Sequence, residues 1–135
     1  MLRRIRLTLL SAALPFALAC GDSSGPGSIN LSGTYTGSMT ATSGGFSVPG
    51  TLTFTLSQSG TSVSGTWTNS FGASGTGTAT LSGTTLTLTL TQTNPCAGVF
   101  GGSATVQNAG ARLSGTFSGS DCAGSATGSF VVNKI

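Results

Sequence analysis

The chain has 135 residues and few charges: five Lys or Arg, two Asp or Glu and no His, for a net charge of +3. Three of the arginines lie within the first six residues, so the side-chain charges of residues 20–135 sum to zero, which excludes a basic surface for nucleic acid. Acid–base catalysis, nucleophile activation and metal binding each need clusters of His, Asp, Glu or closely spaced Cys, so we expect neither an enzyme, nor a cofactor, nor a metal site.

Residues 1–19 have the three parts of a secretory signal. A start with three arginines is followed by an apolar run, Leu7–Leu18, and the small residue Ala19 precedes Cys20. The apolar run is shorter than the roughly 20 residues that a transmembrane helix requires. We therefore expect this leader to be cleaved rather than retained as a membrane span.

The cleavage region resembles that of bacterial lipoproteins, because Phe16-Ala17-Leu18-Ala19-Cys20 is similar to a lipobox. The resemblance implies a diacylglyceryl group and palmitate-like acyl chains on Cys20, and two or more such chains anchor a protein stably to a membrane. Gly21, not Asp, follows the cysteine, which in enteric-type lipoproteins favours the outer membrane. Ordinary signal-peptide cleavage at Ala17-x-Ala19 is the alternative.

We therefore divide the chain into a lipoprotein signal peptide (1–19), a flexible Gly/Ser/Pro tether (20–29) and one folded domain (30–135). If Cys20 carries the lipid, Cys96 and Cys122 remain as a pair in an oxidising compartment, and we expect them to form a disulfide. Two buried free thiols are the alternative.

From Leu31 onward, apolar residues alternate with Thr or Ser, which is the pattern of half-buried β-strands. Thr84–Thr91 is the clearest example. Turn signals rich in Gly, Asn and Ser separate eight such segments. The predicted strands lie near 31–38, 50–57, 62–68, 74–81, 85–92, 99–107, 111–119 and 126–133.

Short connections favour pairing between consecutive strands. The predicted fold is all-β: an eight-stranded antiparallel up-and-down meander that closes into a small barrel, with a β-sandwich as the alternative. We expect the apolar face inside and the hydroxyl face outside, as in a water-soluble barrel, rather than the inverse pattern of a transmembrane barrel.

One short motif recurs at Leu31–Tyr35, Val63–Trp67 and Leu113–Phe117, each with Ser-Gly-Thr at its centre. We expect aromatic rings of neighbouring strands to cover these glycines. Gly65-Thr66-Trp67-Thr68-Asn69, together with Leu113–Phe117, resembles the calycin group, which comprises lipocalins and avidins. The resemblance implies a small ligand-holding barrel, but not a biotin site, because the chain has one Trp and no matching acid.

In a meander, alternate turns lie at the same end. The connections Met39–Pro49, Asn69–Gly72, Asn94–Gly98 and Ser120–Gly124 are therefore predicted to share one end, opposite the entry of the tether. Both Cys96 and Cys122 fall at that end. Binding residues concentrate on such loops, so this end is the predicted binding site.

These features predict a non-catalytic, lipid-anchored protein of the cell envelope that binds a small apolar ligand or a partner through the mouth of the barrel. The candidate ligand-lining residues are Tyr35, Phe54, Trp67, Leu88, Phe100, Phe117 and Phe130. The alternative is a structural or adhesion-like lipoprotein with a filled core, whose partner is an envelope protein or glycan; binding of ice by the Thr rows is more remote. A cavity above about 300 Å³ would favour ligand binding, and a fully filled barrel would contradict it.

Overall fold

The computed structural model describes residues 28–135, which form a closed eight-stranded antiparallel β-barrel. The predicted signal peptide, Cys20 and most of the predicted tether lie outside the described residues. Within the described part, no helix is long and apolar enough to cross a membrane. The strands are β1 (Gly33–Ser43), β2 (Phe46–Ser59), β3 (Ser62–Asn69), β4 (Ser74–Ser82), β5 (Thr85–Asn94), β6 (Gly98–Gln107), β7 (Arg112–Asp121) and β8 (Gly124–Lys134).

Each strand pairs with the next in the chain, and β8 pairs back with β1. This order confirms the predicted meander and excludes the β-sandwich. Closure leaves the strands without the long unpaired edges on which sheets aggregate. No connection between the strands is longer than four residues, and the one between β6 and β7 contains a 3-10 turn, Asn108–Gly110.

The alternation of residue types matches the two faces of the wall. In β5, Leu86, Leu88 and Leu90 are buried, while the threonines between them are exposed. The same arrangement recurs around the barrel, so the apolar side chains fill the interior and hydroxyl groups coat the exterior. The predicted orientation of the two faces is therefore confirmed.

The predicted loop at Met39–Pro49 is wrong, because β1 and β2 continue through it as a long hairpin. Gly44 and Gly45 have φ angles of 57° and 83°, which suit a two-residue turn between antiparallel strands. The pairing of β2 with β3 begins only at Leu52, so the hairpin extends past the β3–β4 turn, whereas on its other side β1 stays paired with β8 up to Thr42. Pro49 lacks a backbone N–H and lies on the unpaired side of β2, where proline limits pairing with another strand.

The two ends of the barrel differ. We call the end where the described chain enters the base, and the opposite end, which carries the β1–β2 hairpin and the disulfide, the mouth. The most completely buried side chains all lie near the base: Leu31, Tyr35, Leu86, Leu113 and Val132. There the Tyr35 hydroxyl donates to the backbone oxygen of Gly110, and Leu31 N–H donates to Gln58 Oε1 at 2.7 Å. The base is therefore plugged by the protein's own side chains.

The glycines of the repeated motif were expected to lie under aromatic rings, and this is wrong for Gly65 and Gly115. A side chain added at either position would collide with backbone oxygens, of Thr55 on β2 and of Ser103 on β6 respectively. The strands approach closely there, because a small barrel coils its strands tightly and uses glycine to bend them. The expected arrangement does occur at Gly128, which lies under the ring of Phe117.

Candidate ligand-binding site at the barrel mouth

A cavity of about 220 Å³ opens at the mouth of the barrel. Three polar residues, Asn69, Gln92 and Asp121, contribute to its lining. The rest of the wall is mostly apolar and includes Leu52, Trp67, Leu90, Phe100, Phe117 and Phe130. Apolar walls with a few converging polar groups are typical of small-molecule sites.

The structure divides the seven candidate ligand-lining residues into three groups. Four of them line the mouth cavity: Trp67, Phe100, Phe117 and Phe130. Phe54 and Leu88 lie deeper and border a separate void of about 20 Å³, which is enough space for a single water molecule. Tyr35 belongs to the base, where burial raises its pKa to about 12.

The aromatic walls are held by specific contacts. Phe100 and Phe117 meet edge to face with ring centres 6.2 Å apart, and Phe130 meets Phe54 in the same way at 5.6 Å. The indole N–H of Trp67 donates to the backbone oxygen of Thr76 at 3.1 Å. Because the only polar atom of Trp67 is already bonded, this residue offers the cavity an apolar surface.

Gln92 is the one buried polar side chain among residues 28–135, with 4% of its surface exposed. Its Nε2 donates to the backbone oxygen of Cys96 at 3.0 Å and to Asp121 Oδ2 at 2.9 Å. Both neighbours are acceptors, which sets the orientation of the amide. The amide oxygen, Oε1, accepts no hydrogen bond from residues 28–135 and is not among their fully enclosed polar atoms, and Gln92 lines the cavity.

The lack of a side chain at Gly98 makes room for this contact. Neighbouring strands align Gly75, Gln92, Gly98 and Asp121 in one row across β4, β5, β6 and β7. A Cβ atom at Gly98 would lie 2.6 Å from the Cβ atom of Asp121. Because Gly98 has no side chain, Gln92 reaches across β6 to Asp121 directly. We call these four residues the Gly-Gln-Gly-Asp row.

Asp121 supplies a negative charge at the mouth. Its hydrogen bond from Gln92, together with one from the backbone N–H of Ala123 at 2.8 Å, lowers the pKa of this carboxyl group. The positively charged side chains of the described residues, Arg112 and Lys134, lie near the base on β7 and β8. The charges of the barrel are thus separated between its two ends.

The predicted disulfide between Cys96 and Cys122 is present, with a Cα–Cα distance of 6.0 Å. It joins the β5–β6 loop, where the Asn94–Pro95 peptide is cis, to the β7–β8 turn. Asp121 lies beside both sulfurs, but these are bonded to each other and are not available as thiolate ligands for a metal. The bond restrains both groups that are hydrogen-bonded to Gln92, the backbone oxygen of Cys96 and the carboxylate of Asp121 at the end of β7.

The sequence-based list of candidate residues missed Gln92 and Asn69. Gln92 continues the inward positions of Leu86, Leu88 and Leu90, so the alternation itself contained the signal that this polar side chain faces the interior. Asn69 Oδ1 accepts backbone N–H groups of Phe71 and Ala73 at 3.0 and 3.1 Å, which leaves its NH₂ group as a donor at the cavity edge.

An exposed apolar strip extends from the cavity onto the projecting hairpin. Phe46 and Val48 share one face of β2 and are 76% and 49% exposed. Gly50 is the next residue on that face and lies under the ring of Phe71, which is itself 44% exposed. The strip therefore connects the cavity wall to the tip of the hairpin.

No family model matches the chain, and no curated protein is significantly similar to it. Solved structures share its fold. EF1p2_mFAP2b, solved bound to DFHBI, has a TM-score of 0.64 and 17% identity over 78% of this chain and 94% of that one. The redesigned β-barrel mFAP1, also bound to DFHBI, has a TM-score of 0.52 and 21% identity over 77% and 94%. These likenesses show the fold alone, a small closed β-barrel.

Proposed function

We propose that this protein is an exported, lipid-anchored and non-catalytic binding protein that holds a small, largely apolar molecule in the mouth cavity. The observation that carries the proposal is the cavity itself, which is apolar on most of its wall and lies at the open end of an otherwise plugged barrel. The similar barrels EF1p2_mFAP2b and mFAP1 are bound to DFHBI, which supports such a barrel as a fold that can hold a small molecule.

The size of the cavity limits the ligand. Its volume of about 220 Å³ does not reach the roughly 300 Å³ expected of a ligand-binding barrel, which is the volume at which pockets for drug-sized molecules begin. A cavity of about 150 Å³ holds benzene in another protein. The expected ligand is therefore a compact molecule of one or two rings and not a long lipid.

The lipid anchor follows from the sequence of the leader, with Cys20 as the modified residue in the outer membrane of the cell envelope. The described chain enters the barrel at the base, so a tether from Cys20 would leave the mouth directed away from the membrane. Mass spectrometry of the intact protein from its own membranes tests this part, because lipidation adds the mass of the acyl groups to a chain that begins at Cys20. An unmodified N-terminus would contradict it.

Ligand binding can be tested by calorimetry and amide NMR with indene and DFHBI as test compounds. Ala126 lines the cavity, so Ala126→Phe should fill it and weaken binding at least about tenfold, since overpacking leaves no space for a ligand. Thr127→Phe is the matched control, because Thr127 is the neighbouring residue and is exposed on the outer face. If neither compound binds, or if Ala126→Phe binds them like the wild type, the proposed function is wrong.

The apolar strip favours a second candidate, an interaction lipoprotein that docks a partner on its hairpin. Phe46 and Val48 are exposed there, and exposed apolar patches often mark interaction sites. The variant Phe46→Ser/Val48→Ser separates the two candidates. A ligand-binding protein should keep its affinity for indene in this variant, whereas a docking protein should lose its crosslinked partner in cells.

A further inference from the structure

We propose that the mouth cavity selects a neutral or cationic molecule of one or two rings that carries a hydroxyl or N–H group, and that it rejects carboxylates. Gln92 Oε1 and Asp121 would accept the hydrogen bond from this group. The inference rests on the proposed function and specifies the chemistry of its ligand.

The Gln92 amide has one hydrogen-bonding group left for a ligand. Both hydrogens of its Nε2 are used, one by the backbone oxygen of Cys96 and one by Asp121. Only the amide oxygen is left for a ligand, and an oxygen accepts hydrogen bonds but cannot donate them. The side chain is more than nine-tenths buried, so this free acceptor lies within the wall and not on the outer surface.

A ligand that expels water from the cavity changes the hydrogen bonding of Gln92 Oε1. A purely apolar ligand would leave Gln92 Oε1 without a partner, and an unsatisfied buried acceptor carries a desolvation penalty. A ligand hydroxyl or N–H replaces the lost water and avoids that penalty. Sites built around a buried polar group discriminate strongly against analogues that lack the matching group.

The mouth cavity carries a negative charge. Asp121 is the sole acidic side chain among residues 28–135, and it lines the cavity. Its lowered pKa keeps it ionised at neutral pH. The positive side chains lie at the far end of the barrel, so no described cation offsets this charge for an entering carboxylate. A carboxylate that enters the mouth therefore meets a like charge, and like charges repel each other.

The local backbone supports a built site rather than an incidental contact. The register between β4 and β5 shifts beside Gln92, where Ser74 pairs with Asn94 and Gly75 pairs with Gln92. Such bulges commonly redirect side chains next to binding sites. Gly75 approaches β5 so closely that a Cβ atom there would lie 2.9 Å from the Cα atom of Gln92. Glycines therefore stand opposite Gln92 on both neighbouring strands, Gly75 on β4 and Gly98 on β6.

The test compares three compounds of similar size by calorimetry on the full-length protein: indole, which carries an N–H donor; indene, which carries none; and benzoate, which is an anion. Indole should bind about tenfold more tightly than indene, which corresponds to one recovered hydrogen bond. Benzoate should bind more weakly than either. In Gln92→Met, which removes the acceptor, indole and indene should bind with similar affinity, while the control Thr89→Val on the outer face of β5 keeps the wild-type preference.

The outcomes separate this inference from the proposed function. If indene binds to the wild type as tightly as indole, or if benzoate binds best, the inference is wrong and the proposed function remains. If Gln92→Met folds and keeps the preference for indole, Gln92 is not the acceptor and the inference is also wrong. If none of the three compounds binds, both fail. The comparison on the wild type needs no variant, so the inference is testable even if Gln92→Met does not fold.

Discussion

Replacing Tyr35 by Phe removes one oxygen atom from the base of the barrel and leaves the ring in place. The lost hydroxyl donates to the backbone oxygen of Gly110, which is itself buried. Leaving a buried acceptor unpaired costs about 1–3 kcal/mol. For a domain of this size, each kcal/mol corresponds to roughly 4 °C in the midpoint of thermal unfolding.

The variant also has a signature at high pH. Burial raises the pKa of Tyr35 from 10.0 to about 12, so its neutral form stabilises the folded state. This contribution is fully present below pH 10 and is lost as the pH rises to about 12. At about 1.4 kcal/mol for each pH unit, this contribution is at most about 3 kcal/mol. The stability difference between the wild type and Tyr35→Phe should therefore shrink over this range.

Urea titrations followed by circular dichroism, repeated from neutral pH to about pH 12, measure that difference. Tyr35 is the single tyrosine of the chain, so the absorbance of tyrosinate reports its ionisation without interference. Lys134 Nζ lies 5.5 Å from the ring centre and is present in both proteins, so its contact with the ring is common to both curves. A difference that stays constant across the whole pH range, or a Tyr35→Phe protein as stable as the wild type at neutral pH, would refute the reasoning.

Three further predictions concern the mouth. Gly98→Ala should cost about 1–3 kcal/mol of unfolding free energy in urea titrations, because its Cβ atom would lie 2.6 Å from that of Asp121. Gly101→Ala should be neutral or stabilising, because the atom nearest to its Cβ would be 3.9 Å away. Replacing both Cys96 and Cys122 by Ser removes a crosslink across 26 residues and should lower the unfolding free energy by about 3 kcal/mol. The pKa of Asp121 is below its ordinary value of 3.8, so its carboxylate stabilises the fold at pH values above 3.8. This contribution is lost as the pH falls through the lowered pKa. Asp121→Asn should therefore flatten the acid limb of a stability–pH curve.

Each of these predictions has a clear contrary result. Equal losses for Ala at Gly98 and at Gly101 would mean that the contact with Asp121 is not the cause. An unchanged unfolding free energy in the double Ser variant would show that the disulfide does not stabilise the fold. An acid limb that is as steep in Asp121→Asn as in the wild type would assign the proton uptake to another group.

The strands and the closure of the barrel were predictable because period-two alternation is a local signal that survives in almost every segment. The hairpin at Met39–Pro49 is not evident from the sequence, because its Gly and Ser content is typical of loops. The position of the disulfide followed from strand parity alone, since alternate turns must share an end of a meander.

The polar part of the site was much less predictable. The contact between Gln92 and Asp121 depends on the register of three strands and on the missing side chain of Gly98, and the sequence specifies neither directly. The close approach at Gly65 is likewise a product of how tightly the barrel coils. Where the structure depends on distances between strands that are separated along the chain, the local pattern carries little information.

The Gly-Gln-Gly-Asp row has a consequence for how this protein can change over evolutionary time. Its members are in contact, so the effect of replacing one depends on the identity of the others. A larger residue at Gly98 is tolerable only where Asp121 has also changed, and a change at Asp121 removes an acceptor from Gln92. In relatives of this chain, these positions should therefore vary together, and the rest of the wall should vary independently of them.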